Sequence, residues 1–423
     1  MNKQTPIQSS IRLTFCIWVL ILGWNLQPLA AQNVDLLKQA FEKITEGDFE
    51  EGLVVSLAAV ESLPDSAESH FFAGLCLSNL GRCPEATPFW DAALDLDPDF
   101  VEAYLERARC LSGSGQAEMA LKDIRNCLRR DPLYVDALLL RAEIYLAEGD
   151  ADLAMKDLDL AKRLAPRMVE VYTLRAEALW SLGDVKASLK EANHAVKLAP
   201  GDPLPYITRS QANLVAGNLI AALADADQAI LLAPEAHGLR NTRAYILLQL
   251  DRLEDAHAEL DLLLSKDSSA AEAHLTRALL FERVGDLSMA VIAAEHGLNL
   301  RPQDIAIREQ LGFLLLQKGQ DSLAALHLDT VLQADDQRAF SLHCIGLAHA
   351  NLGKVQQGLK ELDRAIKLDP YDPRAYFHRA KAQIVAGKTE KGCLDLNEAE
   401  KMGFADYYNP EELETLRKES CGK

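Results

Sequence analysis

Recognisable catalytic signatures are missing from this chain. It contains no Gly-x-Ser-x-Gly and no His-Glu-x-x-His, so neither an esterase nucleophile nor a zinc-protease base stands at its usual spacing. The nearest approach to a phosphate loop, Ala382-Gln-Ile-Val-Ala-Gly387-Lys388-Thr389, lacks the first glycine and would also need a strand before it. No Cys-x-x-Cys occurs, which weakens any zinc reading of Cys76, Cys83, Cys110 and Cys127. Their spacing does not bring them level on adjacent helices, and they are expected to be small buried hydrophobes. Positive charge is scarce. Lys and Arg number 44 against 63 Asp and Glu, a formal net charge of −19, which argues against nucleic acid or an anionic bilayer as the main partner.

The N-terminal stretch, 1–31, differs from the rest. Lys3 and Arg12 precede the apolar run Phe15-Cys-Ile-Trp-Val-Leu-Ile-Leu, and Leu29-Ala30-Ala31 follows. That order reads as a secretory signal peptide over residues 1–31, with Gln32 the expected new N-terminus. The run is too short for a comfortable membrane span, so no stable insertion is expected after cleavage. The mature chain is expected to be exported, periplasmic or extracellular.

From Asn33 to Asp406 the sequence falls into eleven rows of equal length without an insertion, so that Ala108 recurs as Ala142 and again as Ala176. The eighth position is small in every row (Ala40, Gly74, Ala108, Ala142 and onward), as is the twentieth (Gly52, Ala86, Ala120, Ala154 and onward). Small residues at fixed points on two helices let their axes approach closely. The fifteenth position is Gly except at Asp251, and Pro closes most rows. Each row therefore predicts a helix, a turn and a second helix that stops at the proline. After Asp406, Asn409-Pro410-Glu411-Glu412 announces a final helix that caps the array within residues 407–423.

The 34-residue period and the small residues at positions 8 and 20, with mostly Ala at 27 and Pro at 32, resemble the tetratricopeptide repeat. The resemblance implies an all-α fold: an α-solenoid, a right-handed superhelix whose inner groove is lined by the first helix of each hairpin. It also implies a non-enzymatic scaffold that binds a protein or peptide, with no cofactor, no catalytic residues and no metal. A structural spacer acting through its ends and outer face is the alternative.

In that family the groove takes positions 2, 5, 9, 12 and 13. Carried over, these give an acidic stretch in rows three to five (Glu102, Asp136, Glu143, Glu170, Glu177, with Arg109 the one base). They give a more apolar one later: Ile207, Gln211, Leu214, Asn241, Tyr245, Leu248, Leu275, Leu279, Phe313 and Leu316. Position 9 is never Asn, so the Lys/Asn clamp with which some relatives hold a chaperone's C-terminal carboxylate is absent.

A second regularity runs through the rows. Arg at position 7 accompanies an acid at position 23: Arg107 with Asp123, Arg141 with Asp157, Arg175 with Glu191, Arg209 with Asp225, Arg243 with Glu259, and Arg379 with Asp395. These are read as structural ion pairs across each hairpin, because charges that neutralise each other are not offered to a ligand. Arg277 has no acid in its row, and its partner must lie elsewhere. Cys393 and Cys421 fall level on antiparallel helices and are the disulfide candidate. His343, Cys344 and His378 are expected to approach one another on the inner faces of the last two rows. Rows seven and nine depart most from the pattern, which reads as ordinary drift or, more sharply, as a softer seam around residues 250–270.

Overall fold

A computed structural model describes residues 28–404 and 410–422. The leader up to residue 27 and the expected cap Asn409 lie outside the described residues. Those described form 23 α-helices and no strand. In a typical repeat the first helix, such as Val135–Ala147, has 13 residues and the second, such as Ala151–Leu164, has 14. Gly149 turns between them at φ +85°, the left-handed conformation that glycine reaches without a Cβ clash. Asp251 takes the same region at φ +58°, so the turn geometry survives the one substitution and bears its strain.

Contacts divide the chain into two compact units, Met1–Ala216 and Gly217–Lys423. Within each, hairpins stack in chain order, a second helix against the next first helix and first helices against each other. The small positions lie at the points of closest approach. A Cβ on Gly74 would stand 2.5 Å from the indole nitrogen of fully buried Trp90, and one on Gly358 would stand 2.3 Å from the Gly346 carbonyl oxygen.

The arginines at position 7 hold more than their own hairpins. Arg107 donates to Asp123 at 2.6 and 2.7 Å, Arg141 to Asp157 at 2.7 Å twice, Arg243 to Glu259 at 2.7 Å, and Arg379 to Asp395 at 2.7 and 2.8 Å. Each of these acids follows its arginine on the second helix of the same hairpin. A second partner precedes the arginine by the same sequence distance, on the preceding second helix: Asp91 for Arg107, Asp159 for Arg175, Asp227 for Arg243 and Asp363 for Arg379. One guanidinium thus ties three helices. Among the described residues Arg277 pairs with this backward partner, Asp261, which accounts for the acid missing from its own row. Arg175 departs from expectation. Its Nε is 3.6 Å from Glu191, whose carboxylate instead accepts from Lys162 at 2.7 and 2.9 Å. Arg209 donates to Asn193 at 3.0 Å, and Asp225 belongs to the other unit. Glu361, an acid without an arginine, meets His349 at 2.8 Å.

Two disulfides are present among the described residues. Cys393 joins Cys421, with a Cα–Cα distance of 6.0 Å, and fastens the last helix, Pro410–Cys421. Leu413 and Leu416 of that helix pack on Phe377 and Leu396 and cover the end of the array. The second disulfide, Cys83 to Cys110 with Cα–Cα 5.5 Å, corrects the expectation for that cluster. Cys83 opens a second helix and Cys110 nears the end of the next first helix. Because those helices run antiparallel, the two cysteines are level across the repeat boundary. Cys76 and Cys127 are free and buried. Burial pushes their thiols up to about 11 and about 12.

Candidate functional site: the inner face of repeats three to five

Three consecutive first helices, Val101–Gly113, Val135–Ala147 and Val169–Ser181, carry a line of carboxylates in the first unit. Asp136 and Glu143 are two helical turns apart and so share a face, as do Glu170 and Glu177. Asp136 is 9% exposed and Glu106, near it, is 7% exposed. Desolvation raises the carboxyls of Glu102, Glu106, Asp136, Glu143 and Glu177 above the ordinary range. Repulsion adds to this: Asp136 acts on Glu106, and Glu170 and Glu177 act on Glu143. Glu143 is exposed on one side, yet the protein packed around it leaves its carboxyl partly desolvated.

Arg109 is the charge set against Glu106, Asp136 and Glu143. It lies 3.5 Å from Glu106, and its field partly offsets the shifts at Glu106, Asp136 and Glu143. Its Nε is itself buried without a hydrogen-bond partner. Asp136, Glu143 and Glu177 form no hydrogen bond or ion pair through their side chains with any described residue. Glu106 and the phenol Tyr134, which burial and the neighbouring acids push upward, belong to this site and fall outside the family's groove positions. Glu106 was findable as the acid at i+4 from Glu102 and i−3 from Arg109.

The apolar stretch is less available than its pattern suggests. In the first unit Ile207 is half-buried and Gln211 exposed. In the second, Asn241, Tyr245, Leu275 and Leu279 are half-buried. Leu248 and Phe313, expected in the groove, are 5% and 8% exposed and belong to the core. Phe313 stacks edge-on with Phe340 of the following first helix at 5.2 Å. Neighbouring first helices fill these positions before a partner could.

His343, Cys344 and His378 do come together: His343 Nδ1 is 3.0 Å from His378 Nδ1 and 3.5 Å from Cys344 Sγ. Both histidines are buried, and burial depresses their pKa values. No group of three potential ligands that could hold a metal ion exists among the described residues. No helix among them is long and apolar enough to cross a membrane.

Stacked helical hairpins with an inner first-helix face define an α-solenoid. Family models described as tetratricopeptide repeat match residues 105–169, 345–401 and 169–202. Tetratricopeptide repeat protein 36 of Caenorhabditis elegans is 29% identical over 98 residues, 23% of this chain. The match spans 55% of that relative's length. The Cut9–Hcn1 hetero-tetramer of APC/C has a chain with TM-score 0.56 and 14% identity, covering 93% of this chain and 84% of that one. At this identity the likeness is one of fold. A tetratricopeptide-repeat protein of Thermus thermophilus is 25% identical over 43% of this chain and all of that one, with TM-score 0.40. The chain therefore carries tetratricopeptide repeats over the matched residues, and the described hairpins beyond them follow the same plan.

Proposed function

We propose that this protein is a non-enzymatic scaffold that holds a segment of a protein partner along the inner face of repeats three to five, outside the cytoplasm. Proteins of this repeat family generally bind protein partners. The observation that carries the location of the site is the line of poorly solvated carboxylates over three adjacent first helices, with Arg109 set against it. Buried acids elsewhere in the first unit, such as Asp123 and Asp157, are matched by the arginine ladder. Shifted carboxylates left unmatched in a concavity favour a binding role over a purely structural one. Export is supported by the composition of residues 1–31 and by two disulfides, which persist in oxidising compartments.

A photo-crosslinking residue in place of Glu143, on the inner face, or of Lys190, on the outer face, tests the site. Covalent partner adducts are expected from position 143. Adducts from position 190 with none from 143 would favour the spacer reading instead. Fractionation with N-terminal sequencing tests export: the mature chain should begin at Gln32, and an intact leader on a cytoplasmic protein would reject it.

A further inference from the structure

The inner face also specifies a partner chemistry, an inference that rests on the groove reading above. We propose that repeats three to five take an extended segment of a partner protein with basic side chains about every third residue.

Asp136 is nine-tenths buried, makes no hydrogen bond or ion pair with any described residue, and lies within the field of Arg109 and Glu106. A carboxylate held this way is unfavourable in the free protein, and a cation docking beside it removes the cost. Arg109 already acts so on the carboxyls it reaches, but Glu177 lies beyond it: the shift there has burial as its one cause. Asp136, Glu143 and Glu177 therefore take charge from outside the chain.

The distribution of the acids selects a string of cations over a single ion. No three potential ligands converge to hold a metal ion among the described residues. Successive first helices each contribute acids, and packed helix axes stand roughly 8–10 Å apart. A chain extended as in polyproline II advances about 3.1 Å per residue and returns a side chain to the same face every third residue. One side chain in three therefore meets successive helices. Phosphate-bearing partners are repelled by the same field.

The test uses the full-length protein and fluorescent 13-residue peptides with lysine at every third position, with the same lysines contiguous, or with glutamate replacing lysine. Circular dichroism confirms that each variant is folded. The spaced-lysine peptide should bind at least roughly tenfold more tightly than either counterpart, with affinity falling as salt rises. The double variant Glu143→Gln/Glu177→Gln should lose roughly tenfold, whereas Arg109→Ala, which removes the built-in competitor, should bind more tightly. Equal binding of lysine and glutamate peptides overturns the charge inference, as does unchanged binding by the double variant. Equal binding of spaced and contiguous lysines overturns the spacing. Partner crosslinks at position 143 alongside any of these negative results would reject the chemistry and keep the groove. Crosslinks from the outer face alone would reject the groove itself.

Discussion

The two units use one hairpin plan and treat acids on their first helices differently. In the second unit these acids are matched. Glu309 accepts from Arg338 at 2.6 and 3.0 Å and from Ser341, and Glu282 accepts from Gln310 and Gln317 at 2.6 and 2.9 Å. Asp372 is bound by Arg374 at 2.8 and 3.0 Å. Burial alone would raise the Asp372 carboxyl, but His343 and Arg374 hold it far below the usual range. In the first unit Asp136, Glu143 and Glu177 have nothing comparable among the described residues. A buried acid is thus a structural part in one unit and an unfilled valence in the other, and repeat position does not decide which. The neighbouring side chains do.

The arginine ladder is what the units share, and breaking it should cost both most. Arg107→Met would strand Asp123, and Arg379→Met would leave Asp395 with Gln383 as its remaining donor; the two carboxylates are 4% and 6% exposed. Each should destabilise its own unit by about 3–5 kcal/mol in urea unfolding followed by amide exchange. A loss below about 1 kcal/mol would mean that water replaces the guanidinium.

Replacing an inner-face acid by its amide should have opposite signs in the two units. Glu309→Gln removes charge-assisted bonds from a half-buried arginine and should cost about 1–2 kcal/mol. Asp136→Asn removes an unmatched buried charge and should raise the melting temperature at pH 7. Equal signs would erase the distinction drawn between the units.

Acidification should separate them further. The raised carboxyls of Glu106, Asp136 and Glu143 bind protons more readily in the folded chain than in the unfolded one. Their stabilising contribution is full below the unfolded value of about 4 and is lost as pH rises through the raised values. His343 and His378 behave oppositely. Their depressed values give stability above the unfolded value of about 6.5, lost as pH falls. Amide exchange between pH 7.5 and 5 should show protection falling around His343 and holding or rising around Asp136. Parallel loss in both regions would contradict these assignments.

The smallest effect concerns the turn of the seventh repeat. Asp251→Gly relieves a left-handed aspartate whose ion pair with Arg283, at 3.3 Å, is exposed. A gain of up to about 1 kcal/mol in the second unit is expected from urea unfolding.

Repeat architecture was legible because it is periodic: Ala142, Gly149, Ala154 and Pro166 each recur in register, and periodicity needs no knowledge of neighbours. Properties that depend on what lies across a repeat boundary were not. Leu248 and Phe313 occupy groove positions by number, yet both are buried, Phe313 against Phe340 of the following first helix. Cys83 meets Cys110, and Arg277 meets Asp261, only when adjacent rows are laid side by side. The acid line was visible in Glu102, Asp136, Glu143, Glu170 and Glu177. Glu106 and Tyr134 joined it through depth, which a one-dimensional pattern does not record.

The symmetric reach of the ladder has a consequence for how this chain can change. An arginine with partners equally far ahead and behind in sequence, as Arg107 has in Asp123 and Asp91, works as a ruler laid across two turns. Inserting one residue within a helix, between its turn and the acid, would rotate the acid by about 100° around that helix and carry it off the shared face. Chains built with such a gauge can exchange side chains freely on their inner and outer faces but tolerate no change of length between rungs. The unbroken 34-residue spacing from Asn33 to Asp406 is the record that a ruler of this kind leaves.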